Sequence, residues 1–357
     1  MPPTLAPRLL ERYIAIDHAC GWPNLTVLPD GSIVTLIWPE PCHGLWEGAA
    51  ECWGSTDGGR TWAKRGVPVP HAPGTNRMNL AAGLARDGAL VALVAGWDGR
   101  PPRGTAATHI GCNLIPAVPA RSRDGGSTWE TFPPLVAPAG ARGPHYGDGK
   151  RFGKAGGEAS PTPFGDILPL GDGSLGAMAY TDRVHFYVSE DDGRTWTHRA
   201  AFGTPDGHNE TTWLPLPDGR LLAAARTYGD QHLELFESTD QGHTWTFTQA
   251  VTGKGEHPAA LTALADGGLL LTYGIRTDQL FGVGVRLSRD AGRTWSEPQT
   301  LVDFVTATNL DDPKWRDGGY PATVQLPDGT LVTAYYCKGT PAHTRYHVGV
   351  VKWTTNP

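Results

Sequence analysis

Short apolar runs alternate along the whole chain with clusters of Gly, Asp, Pro, Ser and Thr, and the spacing of those clusters is regular. One unit places Asp-Gly between two apolar runs: VLPDGSIV around Asp30, LARDGALV around Asp87, PLGDGSLG around Asp172, PLPDGRLL around Asp218, ALADGGLL around Asp266 and QLPDGTLV around Asp328. Asp-Gly between alternating apolar stretches is the strongest short-range signal of a β-hairpin. Out of phase with it runs a second unit, S-x-D-x-G-x-T-W, starting at Ser55, Ser122, Ser189, Ser238 and Ser288. There the Asp side chain accepts backbone N–H groups across a turn, Gly relieves a left-handed position, and Trp pins the hairpin onto an apolar layer. One active site has no use for five copies of an aspartate, so these carboxylates are assigned to structure.

Together the two units predict an all-β chain in which each repeat is strand, Asp-Gly turn, strand, connection, strand, S-x-D turn, strand. Four antiparallel strands make one blade of a β-propeller. Six Asp-Gly hairpins against five S-x-D turns leave the last blade one strand short after Tyr346–Trp353. The N-terminal run Arg12–Ile16 is expected to supply it, closing a six-bladed ring that hides open sheet edges and making residues 1–357 a single domain.

Composition agrees. The 47 Gly and 31 Pro suit a turn-rich chain, while 39% hydrophobic residues and 13 Trp supply the apolar surface that a disordered chain lacks. A formal net charge of −6, without a long basic run, excludes nucleic acid and anionic membranes as partners. No apolar stretch has the length of a membrane span, and MPPTLAPRLLERY has no signal-peptide core, so a cytoplasmic protein is expected. Cys20, Cys42, Cys52, Cys112 and Cys337 form an odd set that fits free thiols. With the neighbouring His residues they match no compact metal site, and neither metal nor cofactor is expected.

In such a propeller both turn types lie on one face. The opposite face collects first-strand starts, second-strand ends and the long connections Asp98–Ala120, Thr131–Pro163 and Asp303–Gly319. Trp22, Arg77, Glu210, His257 and Tyr320 come to that rim from first strands, and Asp182, Arg226 and Arg276 from second strands. A rim that gathers arginines, carboxylates and aromatics around one axis suits an acidic sugar.

HNETTWLPLPDGRLLAAAR (His208 to Arg226) and GGYPATVQLPDGTLVTAYY (Gly318 to Tyr336) resemble segments of the sialidase (neuraminidase) superfamily, six-bladed propellers marked by Asp-boxes. The resemblance implies an exo-glycoside hydrolase in which Tyr320 is the nucleophile, Glu210 takes its proton and Arg226 grips a substrate carboxylate. Sialidases with a Tyr nucleophile are the known exception to the two-carboxylate scheme, since an anionic nucleophile is repelled by the sugar's own carboxylate.

The sequence departs from the family pattern in three places. Gly21 stands where the first of three arginines is expected, with Trp22 beside it to fill the vacated space as a flat wall. Leu280 stands where the third is expected, leaving Arg276 as its substitute, with Arg77, His257 and Asp182 as further substrate contacts. The family's acid/base Asp has no counterpart, and His43 and Glu47 replace it best, with Glu40 third. These departures predict slow turnover of sialosides relative to another glycoside or uronide. A uronate lyase, another glycosidase and a non-catalytic carbohydrate-binding propeller are the alternatives on the same scaffold.

Overall fold

The computed structural model of the chain describes residues 3–105, 113–146, 150–151, 159–304 and 317–355. Cys112 and parts of the three long connections lie outside the described residues.

Every Asp-Gly turn joins two antiparallel strands, and each such hairpin belongs to a four-strand meander. The first comprises Asn24–Val27, Ile33–Ile37, Glu51–Ser55 and Ala63–Gly66. The second comprises Asn79–Leu84, Leu90–Trp97, Leu114–Ser122 and Glu130–Thr131, and the third Thr162–Pro169, Leu175–Tyr180, Val184–Ser189 and Thr197–Phe202. These two merge into one eight-stranded sheet, because Gly165–Ile167 pairs in parallel with Ala81–Gly83. The fourth runs His208–Pro215, Leu221–Thr227, Leu233–Ser238 and Thr246–Ala250, and the fifth Glu256–Ala263, Leu269–Arg276, Phe281–Ser288 and Gln299–Asp303. In the last, Gly318–Gln325, Leu331–Cys337 and His347–Thr354 are completed by Arg8–Asp17, a longer N-terminal strand than the pattern Arg12–Ile16 suggests. Only a short 3₁₀ turn, Tyr228–Asp230, is helical among the described residues, and no helix is long and apolar enough to cross a membrane.

The second strand of most meanders is buried from end to end, as in Ile33–Ile37, Leu90–Trp97 and Leu331–Cys337. A strand covered on both faces has no solvent side to alternate with, which is why these runs read as continuously apolar. First strands of successive meanders pack side by side, and Gly318–Gln325 of the last meets Asn24–Val27 of the first.

The S-x-D turns seat one meander on the next. In the second, Ser122 Oγ donates to Asp124 (2.7 Å) and accepts the Gly126 N–H (2.8 Å), and the Trp129 indole N–H donates to the Gly126 carbonyl (2.9 Å). The hydroxyl and N–H of Thr128, with further donors, hold the Asp124 carboxyl down to about 2. Gly126 faces the preceding meander so closely that a β-carbon there would lie 2.3 Å from Cys52 Sγ. Its counterpart in the first meander, Gly59, faces Val332 of the last. The four described cysteines are buried free thiols.

Candidate active site

The rim side chains are aimed by irregularities at the starts of first strands. Pairing in the last meander jumps from Gly319–Tyr336 to Ala322–Ala334, leaving Tyr320 in a bulge. In the fourth it jumps from His208–Thr227 to Thr211–Ala225, leaving Glu210 in another. Bulges re-aim side chains that a regular pleat would send into the neighbouring layer. Tyr320 (φ 49°) and Trp22 (φ 55°) are also left-handed without being glycine, a conformation that costs of the order of 1–3 kcal/mol and persists where packing over-determines it.

Two bulges and one strand end converge on a single group. The Tyr320 hydroxyl donates to Glu210, 2.7 Å from Oε1 and 2.9 Å from Oε2. From the end of Leu221–Thr227, Arg226 Nη1 reaches Glu210 Oε2 at 2.5 Å and Tyr320 Oη at 3.1 Å. Burial, and then the Glu210 charge, push the Tyr320 phenol above its ordinary range against the opposing pull of Arg226 and Arg276. The resting hydroxyl is therefore protonated and keeps its proton on the Glu210 side. Arg276 stands behind the ring, its guanidinium 5.2 Å from the Tyr320 centroid, and donates to the Gly318 carbonyl at 2.7 and 3.1 Å. Trp22 meets Tyr320 edge-on (6.0 Å between centroids), and Phe164 packs at the same separation.

A second carboxylate, Asp317, lies three residues before Tyr320. It accepts the hydroxyls of Tyr336 and Tyr346, each at 2.5 Å, and both its oxygens lie 3.1 Å from His43 Nδ1. Burial works to raise its pKa, but His43 and the two phenol donors outweigh burial and hold it below the usual carboxylate range. His43 in turn abuts the Trp22 ring (4.8 Å, perpendicular).

Residues 116–333 match the BNR repeat-like domain family. The chain belongs to that family. At 26% identity it also aligns with a sialidase from Micromonospora viridifaciens, over 87% of this chain and 52% of the relative, so it spans about half of that protein's length. Among solved structures, a Dyadobacter fermentans protein of unknown function superimposes with a TM-score of 0.76 at 21% identity, covering 98% of this chain and 99% of that one. The Hadza microbial sialidase Hz136 gives 0.67 at 17% identity over 95% and 66% of the two chains. NanB sialidase from Streptococcus pneumoniae gives 0.64 at 14% identity over 97% and 70%. These likenesses place the BNR chain in the sialidase/BNR superfamily and its fold among sialidase propellers.

Within this BNR fold the structure accounts for the glycine at the first arginine position. A β-carbon on Gly21 would lie 2.1 Å from Cβ and 2.6 Å from Cγ of Tyr336, a fully buried residue. The space expected to be covered by Trp22 is filled by Tyr336, and Trp22 lies against that ring instead (5.6 Å).

The structure gathers Tyr320, Glu210, Arg226, Arg276, Trp22 and His43 at one place and engages other rim residues elsewhere. Arg77 donates to the Val94 and Pro116 carbonyls. Asp182 holds Arg142 through its backbone N–H (3.2 Å) and Nε (3.0 Å). Glu47 accepts the Gly74 N–H, and Glu40 pairs with Arg103 (2.9 Å). His257 is fully buried in the bulge that opens Glu256–Ala263. Asp317, Tyr336 and Tyr346 escaped the motif reading. The signal that points to Tyr336 is Gly21 itself, since a glycine in place of a long side chain leaves volume that another residue must fill.

Proposed function

We propose that the six meanders are blades of one closed propeller, a single domain, and that its rim carries a retaining exo-glycosidase of sialidase type acting on a terminal sugar. The observation that carries this reading is the Tyr320 hydroxyl bonded to both oxygens of Glu210 with Arg226 on the same two groups. In the first step Tyr320 Oη forms a bond to the anomeric carbon while Glu210 takes the phenol proton and the leaving-group oxygen departs with a proton from the enzyme. Because burial and the adjacent carboxylate disfavour free phenolate, deprotonation and attack belong to one event. Water then attacks the glycosyl–tyrosine bond at carbon and gives a proton to the group that protonated the leaving oxygen, and Glu210 returns its proton to the phenolate. Arg226 keeps the Glu210 oxygens turned toward the phenol. With Tyr336 in the first arginine's place, sialosides are expected to be poorer substrates than another glycoside.

The test is a panel of 4-methylumbelliferyl glycosides, a sialoside and uronides included, with ultraviolet absorbance for unsaturated lyase products. One glycoside should be hydrolysed with retention, and Tyr320→Phe should lower its kcat roughly a thousandfold or more. Hydrolysis undiminished in Tyr320→Phe, an unsaturated product, or no turnover of any member would each overturn the proposal.

A further inference from the structure

A glycosidic oxygen leaves as an alcohol only if a proton reaches it, and Glu210 and Arg226 are already committed to Tyr320. His43 also packs against Trp22 and is the one side chain of the Asp317 cluster exposed over nearly half its surface (46%), against 21% for Asp317. The three donors around Asp317 are arranged unequally. Tyr336 donates to Oδ1 and Tyr346 to Oδ2, and the imidazole approaches both oxygens together. The Asp317 backbone is anchored too, its carbonyl accepting the Lys338 N–H at 2.6 Å. His43 Nδ1 takes the remaining place, equidistant from both oxygens, and its Nε2 bonds to none of the described residues.

Asp317 is ionised and accepts only, as are the two hydroxyls' roles settled by donation to it, so the proton on His43 must sit on Nδ1 whenever the ring is neutral. That tautomer leaves Nε2 as the atom that gains and gives a proton. His43 and Tyr320 both lie edge-on against the same indole, which ties the imidazole and the phenol to one aromatic side chain.

We propose that Asp317, clamped by Tyr336 and Tyr346, is the positioning residue that sets the tautomer and aim of His43 as general acid and base for the reaction assigned to Tyr320. The inference rests on that reading of Tyr320. In the first step the His43 imidazolium passes its Nε2 proton to the leaving oxygen as the bond to the anomeric carbon breaks, which leaves the neutral Nδ1–H ring. In the second, Nε2 of that ring takes a proton from the attacking water, so the imidazolium is restored and one water is consumed per glycosidic bond.

Two measurements on the full chain test it. The first needs no activity: ¹⁵N spectra of the imidazole-labelled protein at a pH where His43 is neutral, assigned by loss of the signal in His43→Ala. The proton is expected on Nδ1 in the wild type and in Tyr320→Phe, and on Nε2 in Asp317→Asn. An Nε2–H tautomer in the wild type, or no change in Asp317→Asn, overturns the proposal. The second compares the methyl and 2,4-dinitrophenyl glycosides of the sugar found by the panel. His43→Ala should lower kcat about a hundredfold or more on the methyl glycoside with KM held, and less than about tenfold on the dinitrophenyl glycoside, whose phenolate leaves without a proton. Asp317→Asn should show the same imbalance at smaller size. Equal losses on both leaving groups would reduce the cluster to a structural clamp. Inactive Tyr320→Phe beside unaffected His43→Ala would sink the dyad alone, whereas active Tyr320→Phe would sink the nucleophile assignment.

Discussion

The contact between Arg226 and Glu210 should show itself in stability before any substrate is known. Their side chains are only 15% and 12% exposed, and Nη1 stands 2.5 Å from Oε2. Removing one partner of a buried ion pair costs about 3–5 kcal/mol, mostly because the other charge is left without compensation. Water at the rim still reaches both groups, so Arg226→Met belongs at the lower end, about 3 kcal/mol. In Glu210→Gln the amide oxygen still accepts from Tyr320 and Arg226, but the charge-assisted share of those bonds is lost and the guanidinium loses its anion, costing about 1–2 kcal/mol. The double variant carries neither ion. Its loss should fall short of the combined single losses by about 2 kcal/mol, the signature of two residues in direct contact. Urea unfolding followed by tryptophan fluorescence gives the four midpoints, and unchanged m-values would establish that stability is what moved. Additivity within about 0.5 kcal/mol would refute the reasoning, because the contact would then not be what holds Glu210 against the phenol.

Two further outcomes follow from the same structure. Gly21→Ala forces a β-carbon into the stem of Tyr336 and should cost about 1–3 kcal/mol of overpacking; the control Gly171→Ala, outside the left-handed region and with only the Gln241 side chain nearby at 3.4 Å, should change stability by no more than about 1 kcal/mol, and equal melting of both would show that Tyr336 gives way freely. The S-x-D turns should make the protein acid-labile: Thr128 and its fellow donors hold Asp124 at about 2, and Asp240, despite its burial, is held at about 2 by Thr244 and Ser238. Folded values below the unfolded one mean stability that is complete above roughly pH 4 and is lost as pH falls toward 2, less than about 1 kcal/mol for each such screened carboxylate. Urea midpoints between pH 5 and pH 2 should decline less steeply in Asp124→Asn/Asp240→Asn, and an identical slope would contradict the assignment.

Local chemistry was legible in the chain because its causes are local. An Asp-Gly pair between apolar runs makes a hairpin wherever it stands, and the S-x-D-x-G-x-T-W turn closes on its own side chains, as the bonds from Ser122 to Trp129 show. The all-β class and the places of Glu210, Arg226 and Tyr320 at strand starts and ends follow from counting along those turns. What the chain alone could not decide were contacts between residues far apart in sequence. Tyr320 meets Glu210 across 110 positions, and Asp317 meets His43 across 274. Which of His43, Glu47 and Glu40 packs against the Trp22 ring depended on how the connection after Ile37 packs, where His43 meets that ring, Glu47 turned to a backbone N–H and Glu40 to Arg103. The glycine at position 21 was visible from the start, but its cause was not: only the packed last meander brings the Tyr336 ring into the volume that an arginine would need.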